Sequence, residues 1–435
     1  MLGILCNRTY RHLFAAQVIA LLGTGLMTVA LGLLAYDLAG PDAGAVLGTA
    51  LAIKMVAYVG VAPVAQASTD QLPRRPLLVG LDLIRGAVAL CLPFVTEIWH
   101  IYLLIFVLQS ASAAFTPTFQ ATIPDILPDE GDYTRALSLS RLAYDLENLV
   151  SPMLAAALLS VFSFHNLFAG TVAGFLASAL LVLGVRLPVA RPGPRSGIWD
   201  RTTRGMRIYL ATPRLRGLLA INFAVAAAGS MVIVNTVVLV KTDFSLAEPQ
   251  VALALAIFGA GSMIAALALP RVLDRLSDRL VMIAGACLLA AGTAAGILVG
   301  SFGVLLMLWL VLGFGYSAAQ TPSGRLLRRS AHPEDRPALF AAQFALSHGC
   351  WLICYPLAGY LGATVGMDGA FAAMAATGLV GVVMARRVWP SDDPAAVPHH
   401  HPDLPADHLH LRSFGSHDHH HHPFVIDDLH ARWPT

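Results

Sequence analysis

Histidine and aspartate are concentrated near the end of the chain. Eleven of the sixteen histidines follow Trp389, together with seven aspartates, five of which lie among the histidines. The histidines are His399, His400, His401, His408, His410, His417, His419, His420, His421, His422 and His430. Imidazole with carboxylate and without cysteine suits nickel, cobalt, zinc or copper(II) better than copper(I), which prefers sulfur ligands. The sequence therefore predicts a tail that binds divalent metal ions.

Other interpretations of this tail remain open. A purification tag would be one terminal run, whereas Pro423 to Thr435 follow the longest run of histidines here. A pH sensor is an alternative because the imidazole pKa lies near neutrality, and a solvated polar segment is another. The tail has no stretch that predicts a membrane span or a packed core, so we expect it to be disordered.

Seven charged residues interrupt the long apolar runs that precede the tail. They are Asp37, Lys54, Asp82, Arg85, Arg141, Asp145 and Glu147. A charge at membrane depth is expensive and usually has a partner or a function, so Asp37, Asp145 and Glu147 are candidates for carrying protons. The alternative is a structural charge network formed by Asp82, Arg85, Arg141 and Asp145.

The fifth apolar run carries three polar residues at helical spacing. Arg141, Asp145 and Asn148 share one face of a helix, whereas Glu147 lies on another face. Asp145 and Glu147 are therefore not expected to bind one ion together.

The eleventh apolar run carries a polar stripe that contains two thiols. Gln343, Ser347, Cys350 and Cys354 are spaced to line one helix face, and His348 lies on a neighbouring face. Thiols and imidazole could conduct a borderline-soft divalent ion. The alternative is ordinary helix packing, for which small residues are preferred in lipid. The candidate transport residues are Asp37, Asp145, Glu147, Asn148, His348, Cys350 and Cys354.

These residues must be positioned by membrane helices. The chain of 435 residues is 57% hydrophobic and 12% charged, with a mean hydropathy of +0.68, which excludes a soluble domain. Twelve apolar runs reach the roughly 20 residues that a spanning helix needs. No cleavable signal peptide is visible, and five cysteines, four of them inside spans, predict no disulfide framework.

The arginines predict the orientation of the chain. They lie in the loops that follow even-numbered spans, in the termini and in a central linker, whereas the opposite loops contain only Lys241. Cytoplasmic loops carry the excess of positive charge, so both termini are expected in the cytoplasm, with the protein in the inner membrane. The net charge of +2 follows from this topology and indicates no nucleic-acid partner.

Two halves of the chain repeat each other. Asp70 and Asp274 stand 204 residues apart in equivalent loops, and Pro128-Asp129-Glu130 corresponds to Pro333-Glu334-Asp335 at an offset of 205. Two six-helix repeats of the same orientation explain these offsets.

The loops that contain Asp70 (residues 66–75) and Asp274 (residues 270–279) resemble the signature G-x-x-x-D-R-x-G-R-[RK] of the major facilitator superfamily. Gln66, Gln71 and Pro73 depart from it in the first copy, and the second copy keeps only its aspartate and two arginines. The resemblance implies twelve helices in two six-helix bundles around a cavity, and a gating role for Asp70, Arg74, Arg75, Asp274, Arg275 and Arg279. Plain solvated loop charges are the alternative.

The domains expected on this basis are an N-terminal bundle (1–187), a basic cytosolic linker (188–216) with a helix near Ile198 to Leu210, a C-terminal bundle (217–388) and the tail (389–435). The resemblance implies a transporter, not an enzyme, that acts as a monomer without a permanent cofactor. An ATPase is excluded because neither lysine belongs to a Gly-Lys-Ser/Thr loop.

With its tail, the chain resembles the NreB-type nickel-resistance exporters. That resemblance implies export of nickel, and also of cobalt, across the lipid bilayer. Proton antiport is the expected coupling because expelling a divalent ion against about 100 mV requires about 4.6 kcal/mol. The body also resembles siderophore and drug exporters, which gives the first alternative, and a metal sensor that does not transport is the second.

Overall fold

The computed structural model describes residues 2–39, 43–69, 72–159, 161–188, 198–246, 248–393, 396–399, 420–422, 424–430 and 432–433. Fourteen α-helices account for nearly all of this structure. Predicted Asp70 and most tail histidines lie outside the described residues.

The helices follow one another with short connections. They are α1 Arg8–Ala39, α2 Ala43–Thr69, α3 Arg74–Cys91, α4 Ile98–Ile126, α5 Glu130–Leu159, α6 His165–Leu183, α7 Ile198–Ala211, α8 Pro213–Val238, α9 Glu248–Leu273, α10 Asp278–Ala295, α11 Phe302–Gln320, α12 Ser323–Arg329, α13 Arg336–Thr364 and α14 Met367–Val388. Short 3-10 turns span Leu2–Cys6, Leu92–Phe94 and Gly296–Leu298, and a π-helical turn spans Leu239–Asp243.

Twelve of these helices correspond to the twelve predicted spans. Ten described helices are long and apolar enough to cross a membrane. Of the other two, α2 has a shorter apolar stretch, Ala52–Ser68, and α5 carries Arg141 and Glu147. A lipid core offers no hydrogen-bond partners to the backbone, so helices that satisfy their own backbone groups are the expected spanning elements. The prediction of an all-helical membrane protein is confirmed.

The two halves use the same pattern of helix pairs. In the N-terminal half (α1 to α6), α1 packs on α5 and α6, α2 on α4, and α3 on α4 and α6. In the C-terminal half (α8 to α14), α8 packs on α13 and α14, α9 on α11, and α10 on α11 and α14. The correspondence agrees with the internal repeat in the sequence.

Glycines allow close helix crossings inside each half. On α9, a Cβ at Gly261 would collide with the carbonyl oxygen of Leu310, and on α11 a Cβ at Gly313 would collide with that of Phe258. In contrast, Gly259 on α9 faces open space. Small residues at such crossings let helix backbones approach in lipid, where packing drives association.

The linker contains the predicted helix, α7. It packs against α13 of the C-terminal half and α2 of the N-terminal half. Its Tyr209 hydroxyl donates to Gln343 at 2.5 Å, and its Arg204 donates to both carboxylate oxygens of Asp335 at 2.5 and 3.1 Å. The linker helix therefore lies across the junction of the two halves, at the end of the bundle where the arginine-bearing loops meet. We call this the basic end.

The prediction of a disordered tail is wrong for the end of the chain. Phe424, Val425 and Ile426 are buried, and Phe424 and Ile426 join the apolar core of the C-terminal half. These three consecutive apolar side chains bury apolar surface, which the polar, histidine-rich sequence before them does not offer. Upstream, strands β1 Val397–His399 and β2 His420–His422 pair antiparallel.

Candidate functional site

A cavity of about 750 Å³ lies between the two halves. Helices α1 to α5 line one side, and α8, α11, α12 and α13 line the other. Polar amides and hydroxyls alternate with aromatic rings around it, among them Gln17, Gln109, Gln320, Tyr144, Tyr316 and Trp351. The cavity can therefore accommodate an amphipathic organic molecule of appreciable size.

Two opposite charges face this cavity from the N-terminal half. Lys54 on α2 and Glu147 on α5 both line it and attract each other electrostatically. The Lys54 ammonium also lies 5.5 Å from the centre of the Tyr58 ring. A carboxylate at this depth is a candidate for carrying a proton or for binding a cationic group of a substrate.

Two arginines in the cavity wall have structural partners. Arg85 forms an ion pair with buried Asp82, which also accepts a 2.7 Å hydrogen bond from Ser178. Arg141 donates to Ser262 of the C-terminal half at 3.1 Å and lies 4.6 Å from the Tyr316 ring centre. The predicted charge network thus exists for Asp82 and Arg85, whereas Arg141 connects the two halves.

An aromatic cluster joins the halves beside Lys54. The ring of Tyr58 on α2 lies 4.7 Å from those of Phe344 and His348 on α13, and these two rings are 4.3 Å apart. The Nδ1 atom of His348 is 2.7 Å from the carbonyl oxygen of Phe344. The cluster places an imidazole of the C-terminal half close to the charges of the N-terminal half.

Ion pairs join the two halves at the basic end of the cavity. Asp125 at the end of α4 accepts from Arg74 of its own half at 2.6 Å and from Arg336 of the other half at 3.1 Å. Arg325 pairs with Glu130 across the junction at 2.8 Å. These bonds hold the basic end closed.

Side chains beneath the cavity complete this closure. Gly324 lies so close to Tyr133 and Leu137 that a Cβ there would contact both side chains. Leu327, which is 2% exposed, lines the same floor.

The predicted transport residues do not all lie in the cavity. Glu147 and His348 line the cavity, whereas Asp37 on α1 is exposed outside it. The side chains of Asp145 and Asn148 lie outside the described residues.

The two thiols of the predicted stripe on α13 do not face the cavity. Cys350 and Cys354 are buried in the apolar core of the C-terminal half and do not line the cavity, although Gln343 and Ser347 do. The residues of α13 that line the cavity are centred near Trp351, and Cys350, one residue earlier, lies about 100° around the helix from that centre. The cysteines follow the packing alternative.

The predicted gating residues do not form one cluster, and each described one has a different environment. Arg74 donates to Asp125 within its own half and does not bond to the other half, while Arg75 donates to the carbonyl oxygen of Leu183. Asp274 and Arg275 are exposed, and Arg279 donates to the carbonyl oxygen of Trp389 at 3.1 Å. Asp70 lies outside the described residues.

Sequence reasoning missed the residues that join the halves, Asp125, Arg325 and Arg336. One signal was available in the sequence. Glu130 and Asp335 occupy equivalent places in the two copies of one repeated loop, and these copies lie close to Asp125 and Arg336. Lys54 was recognised as an intramembrane charge, but its position beside Glu147 required the tertiary structure.

Among the described side chains, no group of three or more histidine, cysteine, aspartate or glutamate residues is arranged to hold a metal ion. His430 is buried and its Nδ1 lies 2.8 Å from Asp427 Oδ1, which makes it part of a packed contact. The metal-binding prediction for the other tail histidines is not tested by these side chains.

The family model of the Major Facilitator Superfamily matches residues 13–223 and 218–416. The chain therefore belongs to this superfamily of membrane transporters, and it is not an enzyme. The two matched segments correspond to the two repeated halves.

Curated relatives are distant. Macrolide efflux protein A of Streptococcus pyogenes is 25% identical over 181 residues, which are 40% of this chain and 44% of that protein. The chain thus matches less than half the length of this relative. The MFS-type transporter YfiS of Bacillus subtilis is 23% identical over 76% of this chain and 81% of its own length.

Solved structures share the fold at low identity. The human organic anion transporter MFSD10 has a TM-score of 0.76 at 13% identity, over 87% of this chain and 99% of its own. A bacterial homologue of the iron transporter ferroportin, in an outward-facing state, has a TM-score of 0.72 at 14% identity, over 87% and 98%. These similarities establish the architecture.

Proposed function

We propose that the protein exports an amphipathic organic molecule by secondary active transport. The observation that carries this proposal is the cavity, whose volume of about 750 Å³ falls within the range of small-molecule sites, roughly 300–1,000 Å³. A single hydrated ion needs far less space, since one water occupies about 30 Å³ of the liquid. The similarity to macrolide efflux proteins supports the same class of substrate.

The proposed cycle alternates the access of this cavity between the two sides of the membrane. The basic end faces the cytoplasm, following the arginine distribution. It opens when the bonds from Arg336 to Asp125 and from Arg325 to Glu130 break. Glu147 carries the proton that drives uphill export, and Lys54 neutralises its charge when no proton or cationic substrate is bound there.

Export of a divalent metal, nickel or cobalt, is the second candidate. The observation that favours it is the density of histidine after Trp389. This candidate requires the tail to deliver ions to the cavity, where Glu147 and His348 are the described residues with metal-ligand chemistry. We place it second because the cavity is larger and more aromatic than an ion pathway requires.

Transport into inside-out membrane vesicles with an imposed proton gradient separates the two candidates. Erythromycin serves as the organic probe and nickel chloride as the metal probe, with Glu147→Gln as the inactive variant and Asp37→Asn as its matched control. Gradient-dependent uptake of erythromycin or another amphipathic compound, lost in Glu147→Gln, supports the first candidate. Uptake of nickel alone supports the second, and uptake of neither by folded protein contradicts both.

A further inference from the structure

Helix α13 changes its surroundings along its length. Ile353 and Tyr360 are 56% and 67% exposed, and exposed side chains of this kind on a spanning helix face lipid tails. Counted back towards the basic end, Ala342 and Ala338 lie within about 60° of the direction of Ile353, since successive residues are turned by about 100°. Ala342, however, is only 1% exposed. The lipid-facing side of α13 is therefore covered near the basic end.

The linker helix α7 provides this cover. A Cβ at Gly205 would collide with the carbonyl oxygen of Ala338, so the backbones of α7 and α13 touch at this point. The hydroxyl of Tyr209, one turn further along α7, donates to Gln343 at 2.5 Å. Helix α7 therefore lies against the side of α13, on the face that contacts lipid further along, and not beyond its end.

The contact lies at the depth of lipid headgroups. Helix α13 has 29 residues, which extend about 43 Å at about 1.5 Å per residue. A bilayer is about 40–45 Å thick with its headgroups and about 30 Å thick in its hydrocarbon core. Because Ala338 belongs to the first turn of α13, it lies beside the headgroups, and so does α7.

The side of α7 that points away from α13 is apolar and exposed. Trp199 and Leu210 lie within about 20° of each other around the helix and are 78% and 49% exposed. Gly205 and Ile208, which are buried, lie on the opposite side. Tryptophan is enriched at the membrane–water interface, because its ring is apolar and its N–H is polar. This exposed side thus has the composition of a membrane contact.

Positive charge accompanies the apolar side. Residues 186–216 contain eight arginines and one acidic residue, Asp200. Helix α7 has three of these arginines, which together with Asp200 give it a net charge of +2. One of them, Arg207, has a side chain that is 59% exposed and pairs with Asp200 on the same helix. Apolar side chains beside a surplus of arginine are typical of helices that lie on anionic membrane surfaces.

We propose that the exposed side of α7, defined by Trp199, Arg207 and Leu210, binds the membrane surface at the basic end. The partner is anionic phospholipid of that leaflet, which is the cytosolic one in the proposed orientation. Trp199 and Leu210 insert between the headgroups, while the arginines attract phosphate groups. Helix α7 also packs on α2, so the membrane surface contacts the helix that lies across the junction of the halves.

Fluorescence quenching in lipid nanodiscs locates this side of α7. Trp199→Cys and Leu210→Cys, each in a background without the five native cysteines, carry an NBD fluorophore. Phospholipid spin-labelled near its headgroup should quench both fluorophores, and iodide in the water should quench them weakly. Asp392→Cys, at an exposed position after α14, is the control that iodide should quench strongly. Equal iodide quenching at all three positions would overturn the proposal.

Hydrogen exchange in α7 tests the preference for anionic lipid. Each arginine near an anionic surface favours binding about fivefold. Nanodiscs that contain phosphatidylglycerol should therefore slow exchange in α7 by up to about 25-fold relative to phosphatidylcholine alone, for two net charges. Arg207→Glu cancels the net charge and should lose this slowing. Arg135→Glu is the matched control, because Arg135 is likewise exposed and paired within its own helix, α5, and it should keep the slowing.

Glycerol phosphate separates the bilayer from its headgroup chemistry. Added to the protein in detergent, it supplies the same anionic group without a membrane surface and should not slow exchange in α7. Slowing by glycerol phosphate, equal exchange in the two kinds of nanodisc, or full slowing in Arg207→Glu would overturn the proposal. None of these readouts uses transport, so a wrong substrate assignment would not affect the result.

Discussion

The bond between Arg336 and Asp125 provides a quantitative test of the closed basic end. It spans the two halves at 3.1 Å, and the side chains are 16% and 19% exposed. Replacing Arg336 by glutamine removes this bond and leaves the one from Arg74 to Asp125 within the N-terminal half. A hydrogen bond between charged groups contributes about 1.5–3 kcal/mol, and each 1.4 kcal/mol is a factor of about ten. The population open at the basic end should therefore rise about 10- to 150-fold.

The neighbouring bond between Arg325 and Glu130 should matter less. Glu130 is 64% exposed, and exposed ion pairs contribute about 0–1 kcal/mol because water screens them. Glu130→Gln should consequently increase the open population by no more than about fivefold. The difference between the two variants distinguishes a partly buried bond from a solvated one.

Labelling of a cysteine in the cavity floor measures the open population. Leu327→Cys, in a background without the five native cysteines, places a thiol at a position that is 2% exposed in the closed structure. The rate of maleimide labelling should follow the expected order, with Arg336→Gln fastest. Arg74→Gln is the matched control because it keeps the bond between the halves, and thermal unfolding checks that each variant is folded. Equal labelling rates in Arg336→Gln and the parent would refute the assignment.

Three further outcomes are expected. Glu147→Gln should abolish uphill transport in vesicles while leaving exchange driven by a substrate gradient, whereas Asp37→Asn should transport normally; uphill transport by Glu147→Gln would remove the proposed proton carrier. Gly261→Ala should destabilise the protein by about 1–3 kcal/mol through overpacking of α9 on α11, whereas Gly259→Ala on the same helix should not. Equal melting temperatures of the two variants would contradict the close crossing of α9 and α11 at Gly261. Residues 424–430, whose Asp427 accepts from His332 of the loop before α13 at 3.3 Å, should loosen as pH rises through the raised pKa of His332. The stabilising contribution of His332 is complete below its ordinary pKa of about 6.5; hydrogen exchange corrected for its intrinsic pH dependence should show the loosening, and His332→Gln should show no such dependence.

Much of the fold could be predicted because lipid acts on each segment locally. A run of about 20 apolar residues must become a helix in a medium without hydrogen-bond partners, so the spans could be identified one by one. The repeat at offsets of 204 and 205 then indicated two equivalent bundles, and the linker helix was placed within one residue of its observed end, Ala211.

The site could be predicted only in part. Charge at membrane depth singled out Glu147, which lines the cavity, because burying a carboxylate in lipid requires a functional or structural reason. The same reasoning could not distinguish a polar residue that faces the cavity from one that faces a packed core. Cys350 and Ser347 belong to one stripe on α13, yet only Ser347 reaches the cavity.

Composition also misled the interpretation of the tail. We expected disorder because no stretch of the tail predicts a span or a packed core, but Phe424 to Ile426 bury against the C-terminal half, and this contact depends on an apolar surface that no local pattern reveals.

The sequence by itself determined that the protein lies in a membrane, where its helices are, and the chemical character of the tail, because each follows from the composition of short segments. The repeat of the helices followed from the order of residues in the loops. Only the tertiary structure decided which residues meet across the halves. Asp125 and Arg336 are 211 residues apart, and their contact depends on the rotation of each helix about its axis and on the way the bundles pack together. Those orientations are set by the sum of many small packing energies along each interface, which the spacing of residues in one helix does not contain.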